Sequence, residues 1–118
     1  MVTPREISRT AAYSLAEVVA LASKGAVWYA GPRVGTTTEE LDLTPEAVNE
    51  CIASLQSWQF DRSIRYEGTK AWLDVYIVRS YSCPVGVKDL YIKFKLLGGR
   101  LTLYVCSFHE EGQYPDDE

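Results

Sequence analysis

The sequence holds one histidine, His109, and one methionine among 118 residues. Its three cysteines, Cys51, Cys83 and Cys106, are odd in number and show no CxxC or His/Cys ligand spacing. Neither a disulfide framework nor a structural zinc site is therefore expected, and Cys51 and Cys106 read as reduced thiols packing as small hydrophobes. No apolar run approaches the ~18–20 residues that cross a bilayer. No apolar stretch follows the charges of "MVTPREISRT", so neither a membrane partner nor a signal peptide is expected. P-loop, GxGxxG, HExxH and GxSxG patterns are missing. Nucleotide-cradle, zinc-protease and serine-hydrolase chemistry have nothing to stand on, and the expectation is no metal and no cofactor.

What is present describes one globular domain. Apolar residues make up 47% of the chain and charged residues 24%, enough to build one core rather than a disordered chain. The net charge of −4 is unevenly spread. Residues 60–109 carry eight lysines and arginines against four acids, whereas the first 59 residues and the ending "EEGQYPDDE" are net negative. Such a split points to an anionic partner for the basic half.

Residues 1–12 read as a loose arm. "YSLAEVVALASKG" reads as a helix, with Ser14 at the N-cap, Glu17 completing a capping box and Gly25 as the stop. "AVWYAGP" offers a short strand, and "RVGTTTEELD" is polar and turn-like, with one helical turn after Thr38. A second helix starts at Thr44 with Pro45 in its first position, and Val48, Cys51, Ile52 and Leu55 form its apolar face. From Phe60 the period changes to two. "FDRSIRY", "WLDVYIVRSY", "VKDLYIKFKL" and "RLTLYVCSF" read as four strands with short connections, hence antiparallel neighbours. The fold class expected is α+β: two main helices on one face of a twisted antiparallel sheet of about four strands. Residues 110–118 are expected to be a disordered, solvated acidic tail, the alternative being that it folds over the basic face and competes with RNA.

The sheet face left uncovered should be the one carrying Tyr91, Lys93 and Lys95. Arg62, Arg65, Tyr66, Trp72, Tyr76, Arg79, Tyr91, Lys93, Lys95 and Tyr104 interleave cations with flat rings, the mixture that single-stranded RNA requires. His109 titrates near neutrality and qualifies as a general acid or base. Tyr91 and His109 can serve one site only if they share a face. A regular two-residue turn at Gly98-Gly99 places them on opposite faces; a three-residue loop such as Gly98-Gly99-Arg100, or one β-bulge, reverses that. An odd-length loop or a bulge between Tyr91 and His109 is therefore expected.

Four stretches, "LDLTPEAVNECIASLQSWQF", "WLDVY" with Arg79 beyond it, "LYIKFKL" and "VCSFHEE", together resemble the MqsR toxins, the motility quorum-sensing regulator family of toxin–antitoxin systems. The resemblance implies a RelE-like, microbial-ribonuclease-like fold. It also implies a metal-independent endoribonuclease that cuts mRNA, and a cognate antitoxin. The family's catalytic lysine positions correspond to Arg62 and His109, its tyrosine to Tyr91, and its glutamine to Leu73. The resulting expectation is a cytoplasmic toxin in which Arg62 stabilises phosphate, Tyr91 donates or positions a hydrogen bond and His109 is the acid or base. Lys93, Lys95, Arg79 and Lys88 draw in the RNA backbone. The alternative, favoured by Leu73 and the acidic net charge, is a non-catalytic module that keeps the fold and binds protein or RNA.

Overall fold

A computed structural model describes residues 5–97, 99 and 101–118. Helix α1 (Leu15–Ser23) begins where the Ser14 hydroxyl accepts the Glu17 N–H at 3.4 Å. Helix α3 (Pro45–Ala53) begins where Thr44 accepts the Ala47 N–H at 3.1 Å. Val18, Leu21 and Ala22 of α1 join Val48, Cys51 and Ile52 of α3 in one core with the sheet residues Tyr76, Leu90, Ile92, Phe94, Leu103, Val105 and Phe108. Each such buried aliphatic or aromatic side chain contributes on the order of 1.5–3 kcal/mol.

The sheet among the described residues is larger than the four antiparallel strands expected. Six strands run in the order β1-β3-β4-β5-β6-β2. They are β1 (Arg5–Ser8), β2 (Val27–Tyr29), β3 (Phe60–Tyr66), β4 (Leu73–Cys83), β5 (Gly86–Leu97) and β6 (Thr102–Glu110). The β3–β6 meander is antiparallel as read, but β2 pairs parallel with β6, so the sheet is mixed. Part of the supposed loose arm is strand β1, paired with β3 from Arg5 opposite Tyr66 to Ser8 opposite Ser63. Asp74, fully buried in β4, secures the chain after it by accepting the Ala12 and Tyr13 N–H groups at 2.9 and 3.0 Å.

A third helix, α2 (Val34–Glu40), replaces the turn expected there. Glycine and three threonines make a poor helix by propensity. Here the Thr38 hydroxyl donates back to the Val34 carbonyl at 2.8 Å, and Thr37 reaches the Phe108 carbonyl of β6 at 2.6 Å. Tertiary contact therefore stabilises what local preference does not. None of the helices is long and apolar enough to cross a membrane among the described residues.

The β5–β6 hairpin contains the expected bulge. Leu97 lies opposite Thr102 and Phe94 opposite Val105, but Lys93 lies opposite Ser107, so Cys106 is the extra residue. Beyond it Tyr91 pairs with His109. The ladder closes with four residues between Leu97 and Thr102, an even number, so the bulge alone changes the parity. Gly98 and Arg100 of the alternative three-residue loop lie outside the described residues.

The bulge has a partner across the sheet edge. After β2, the Ala30 and Gly31 N–H groups both donate to the Val105 carbonyl, at 2.8 and 3.2 Å. A Cβ at Gly31 would lie 1.9 Å from the Cys106 carbonyl oxygen, so only glycine lets the backbones approach this closely. Gly31→Ala should therefore lower stability by about 2 kcal/mol or more, measured by urea unfolding. A midpoint and slope equal to the parent's would show that this edge can part at no cost.

Candidate active site

Four of the residues singled out by sequence converge on the sheet face opposite the helices. Tyr91 and His109 are cross-strand partners whose rings stack at 5.0 Å between centroids and 15° between planes. Lys93 is two residues along from Tyr91 on the same face, opposite Ser107. Arg62 approaches from β3, its guanidinium 5.9 Å from the Tyr91 ring centre. Underneath, Ile64, Val75 and Tyr91 form a second, smaller buried cluster flanked by Tyr66 and Ile77.

The remaining candidates stand elsewhere. Lys95 follows on the same face, opposite Tyr104 and outside the cluster. Arg79 sits in the β4 irregularity between Val78 and Tyr81, paired with Asp89 at 3.3 Å and with Glu111. Lys88 lies 3.8 Å from Glu110. Arg79 and Lys88 thus already have carboxylate partners. Leu73 is half-buried opposite Ile64, on the same face but without a polar atom to offer.

Residues 110–118, expected as a disordered tail, fold back across this face. Asp117 brings its carboxylate to Lys93 Nζ at 2.5 Å, Ser107 Oγ at 2.6 Å and His109 Nε2 at 3.0 Å. Its main-chain carbonyl accepts from the Tyr91 hydroxyl at 3.2 Å. Lys93 is 4% exposed and His109 2%. A lysine that deeply covered is stable only beside an anion, and Asp117 supplies it.

The protonation states follow from these partners. Nδ1 of His109 faces the Glu110 carbonyl at 2.8 Å. A carbonyl only accepts, so Nδ1 carries a hydrogen and Nε2 is the nitrogen turned toward the site. Burial works against a charged His109. The hydrogen bonds to Asp117 and Glu110, with the charges of Asp117 and Glu118, outweigh it and raise the pKa above its ordinary 6.5. Burial likewise opposes ionisation of Asp117, but the His109, Lys93 and Ser107 hydrogen bonds hold its carboxyl far below the usual range. Burial pushes the Tyr91 phenol up, against the pull of Arg62. Tyr91 is therefore a neutral donor at physiological pH.

Beside the cluster opens a cleft of about 300 Å³, lined among others by Arg33, Tyr66, Lys93, Ser107, His109 and Asp117. Three of these were not singled out by sequence as site residues. Ser107 was within reach, because strand alternation puts it on the face of His109. Arg33 and Asp117 carry no periodic signal. Chemically, the cluster offers fixed positive charge, a neutral phenol and an imidazole nitrogen around one point, the requirements for binding and rearranging a phosphodiester.

The sequence model of the family described as "Motility quorum-sensing regulator, toxin of MqsA" matches residues 10–110. Among curated proteins none matches the chain.

His109, stacked on Tyr91, crossed at right angles by the Tyr114 ring, bound to Asp117 and near the charge of Glu118, makes stability depend on pH. Its raised pKa contributes stability that is complete below 6.5 and lost as pH rises through the raised value. Asp117 contributes stability present above 3.8 and lost as pH falls through its depressed value. Titration of the His109 ring by NMR should give a midpoint above 6.5, moving down in Asp117→Asn. A midpoint at or below 6.5 in the parent, unmoved by the substitution, would contradict the pairing.

Proposed function

Since the chain belongs to the motility quorum-sensing regulator family, the toxins of MqsA, we propose that it is a metal-independent endoribonuclease acting on single-stranded mRNA in the cytoplasm. The family implies an antitoxin as partner. The ribonuclease assignment draws on the family's expected activity and fold likeness to RelE-type and microbial ribonucleases. The observation that carries it is the His109 geometry. The imidazole is locked through Nδ1, stacked on Tyr91, and turns Nε2 toward a point shared with Lys93.

In the proposed reaction the RNA 2′-hydroxyl attacks the adjacent phosphorus. Once Asp117 no longer holds the imidazole, Nε2 of His109 in its neutral form takes the hydroxyl proton as the new P–O bond forms. The bond from phosphorus to the 5′-oxygen breaks, leaving a 2′,3′-cyclic phosphate. The departing 5′-oxygen takes one proton from solvent, and His109 returns the proton it took to solvent. Lys93 and Arg62 oppose the charge that gathers on the phosphorane oxygens, and Tyr91 donates a hydrogen bond to one of them. Arg62 keeps its charge throughout and serves only electrostatically.

Leu73 favours a second reading. Its apolar side chain stands at the position where the resemblance implies glutamine, consistent with a module that binds RNA or protein without cutting. One experiment separates the two. At saturating concentrations of a defined single-stranded RNA, cleavage should leave cyclic phosphate ends and persist in EDTA. His109→Ala should lower kcat at least ~10²-fold. RNA bound but uncut by the parent would favour the non-catalytic module, and cleavage abolished by EDTA and restored by magnesium would remove the metal-free scheme.

A further inference from the structure

The segment lying on the site is built from groups that a nucleotide also offers. It carries five acids, Glu110, Glu111, Asp116, Asp117 and Glu118, on a chain already net negative. Two tight turns shape it, closed by the Gln113 N–H to the Glu110 carbonyl at 3.1 Å and the Asp117 N–H to the Tyr114 carbonyl at 2.9 Å. The first turn passes through Gly112 at φ 84°, a conformation that glycine adopts without strain. The Tyr114 ring then lies under the Arg33 guanidinium at 4.1 Å, and the His109 and Tyr114 rings meet edge to face at 5.1 Å.

The Asp117 carboxylate is bound by an ammonium, a hydroxyl and an imidazole. Its carbonyl takes the Tyr91 and Tyr66 hydroxyls at 3.2 and 3.4 Å and Lys93 Nζ at 3.4 Å. Arg62 donates to the main-chain carbonyl of Glu118. An anion caught by several donors, next to a ring covered by a guanidinium, has the composition of a phosphate with its base. Lys93 and His109 are buried under this occupant, so whatever replaces it must also bring negative charge.

We propose that residues 112–118 are a built-in occupant of the nucleotide-binding cleft, with Asp117 in the place of an RNA phosphodiester and Tyr114 in the place of a base. RNA enters only when the segment leaves. The proposal rests on the ribonuclease reading and extends it. Ser107 and Tyr66 become contacts to the phosphate, and Arg33 becomes the guanidinium that covers the base. Because the segment is tethered, it competes at a high effective concentration and masks a large share of the site. Its expected signature is a raised KM with kcat unchanged.

The test compares the full chain, the chain shortened to end at Glu111, and full-length Asp117→Asn. Each is titrated with a 2′-O-methyl RNA, which binds but cannot be cut, and each is assayed on the cleavable RNA. The shortened chain should bind at least ~10-fold more tightly and cleave with a correspondingly lower KM at equal kcat. A synthetic peptide of residues 110–118 should restore the weaker binding, and the same peptide with Asn replacing Asp117 should not. Asp117→Asn retains the whole chain and should move in the same direction by a smaller factor, which keeps the test decisive if the shortened chain does not fold. Equal RNA affinity and equal KM across the folded variants would overturn the built-in occupant and leave the ribonuclease reading standing. RNA neither bound nor cut by any of them would overturn that reading, and the occupant's proposed role with it.

Discussion

One surplus residue in β6 decides what the open sheet face contains. Because side chains alternate along a strand, the Cys106 bulge transfers everything beyond it to the other face relative to β5. Without it, Phe108 would stand opposite Tyr91, and His109 would point toward α1 and α3. With it, Phe108 completes the core and His109 stacks on Tyr91. The bulge is held from the side by the chain after β2, where Gly31 admits the Cys106 carbonyl. Thr37 of α2 holds the Phe108 carbonyl one step further on. A three-residue parallel strand and a threonine-rich helix, both unpromising by themselves, thus brace the strand that places the imidazole.

The second constraint is electrostatic. Lys93, Arg62 and a readily charged His109 stand within one cluster on the face of a chain whose net charge is negative. Gathering cations costs mutual repulsion and lost hydration, and the cost falls only when an anion enters. Asp117 meets that need for Lys93 and His109 through its carboxylate and Asp61 pairs with Arg62, while Arg79 and Lys88 are met separately by Asp89, Glu111 and Glu110. Positive charge among these groups is therefore of two kinds. One kind is neutralised at the rim and lends little to a ligand, and the other is concentrated where the imidazole points.

Much of the scaffold was legible because it rests on local chemistry. Ser14 and Thr44-Pro45 start helices by hydrogen bonds that span three residues, and the meander from Phe60 announces itself by alternation. For Tyr91 and His109 to share a face the last hairpin needs an irregularity, and one is there, although nothing in "LTLYVCSF" marks Cys106 as its position. The failures share a different cause. "REIS" holds one apolar residue and forms a strand only because β3 offers an edge. "VGTTTEE" is helical because Thr37 and Thr38 find carbonyls, one of them 71 residues away. The fold-back of "EEGQYPDDE" depends on side chains from β3, β5 and β6, which composition alone cannot place.

The sheet's outermost strands, β1 and β2, are the first two in the chain, whereas its centre is made of the last four. In synthesis from the N-terminus the rims therefore exist before there is anything for them to border. Arg5–Ser8 waits for residues 63–66, and Val27–Tyr29 waits for residues 103–105. Such long loops close slowly and late. Since β2 and its following glycine brace the bulge that orients His109, an unfinished chain on the ribosome has no assembled cluster at all. The order of the strands thus delays assembly of the cluster until translation of the chain has reached its final strand.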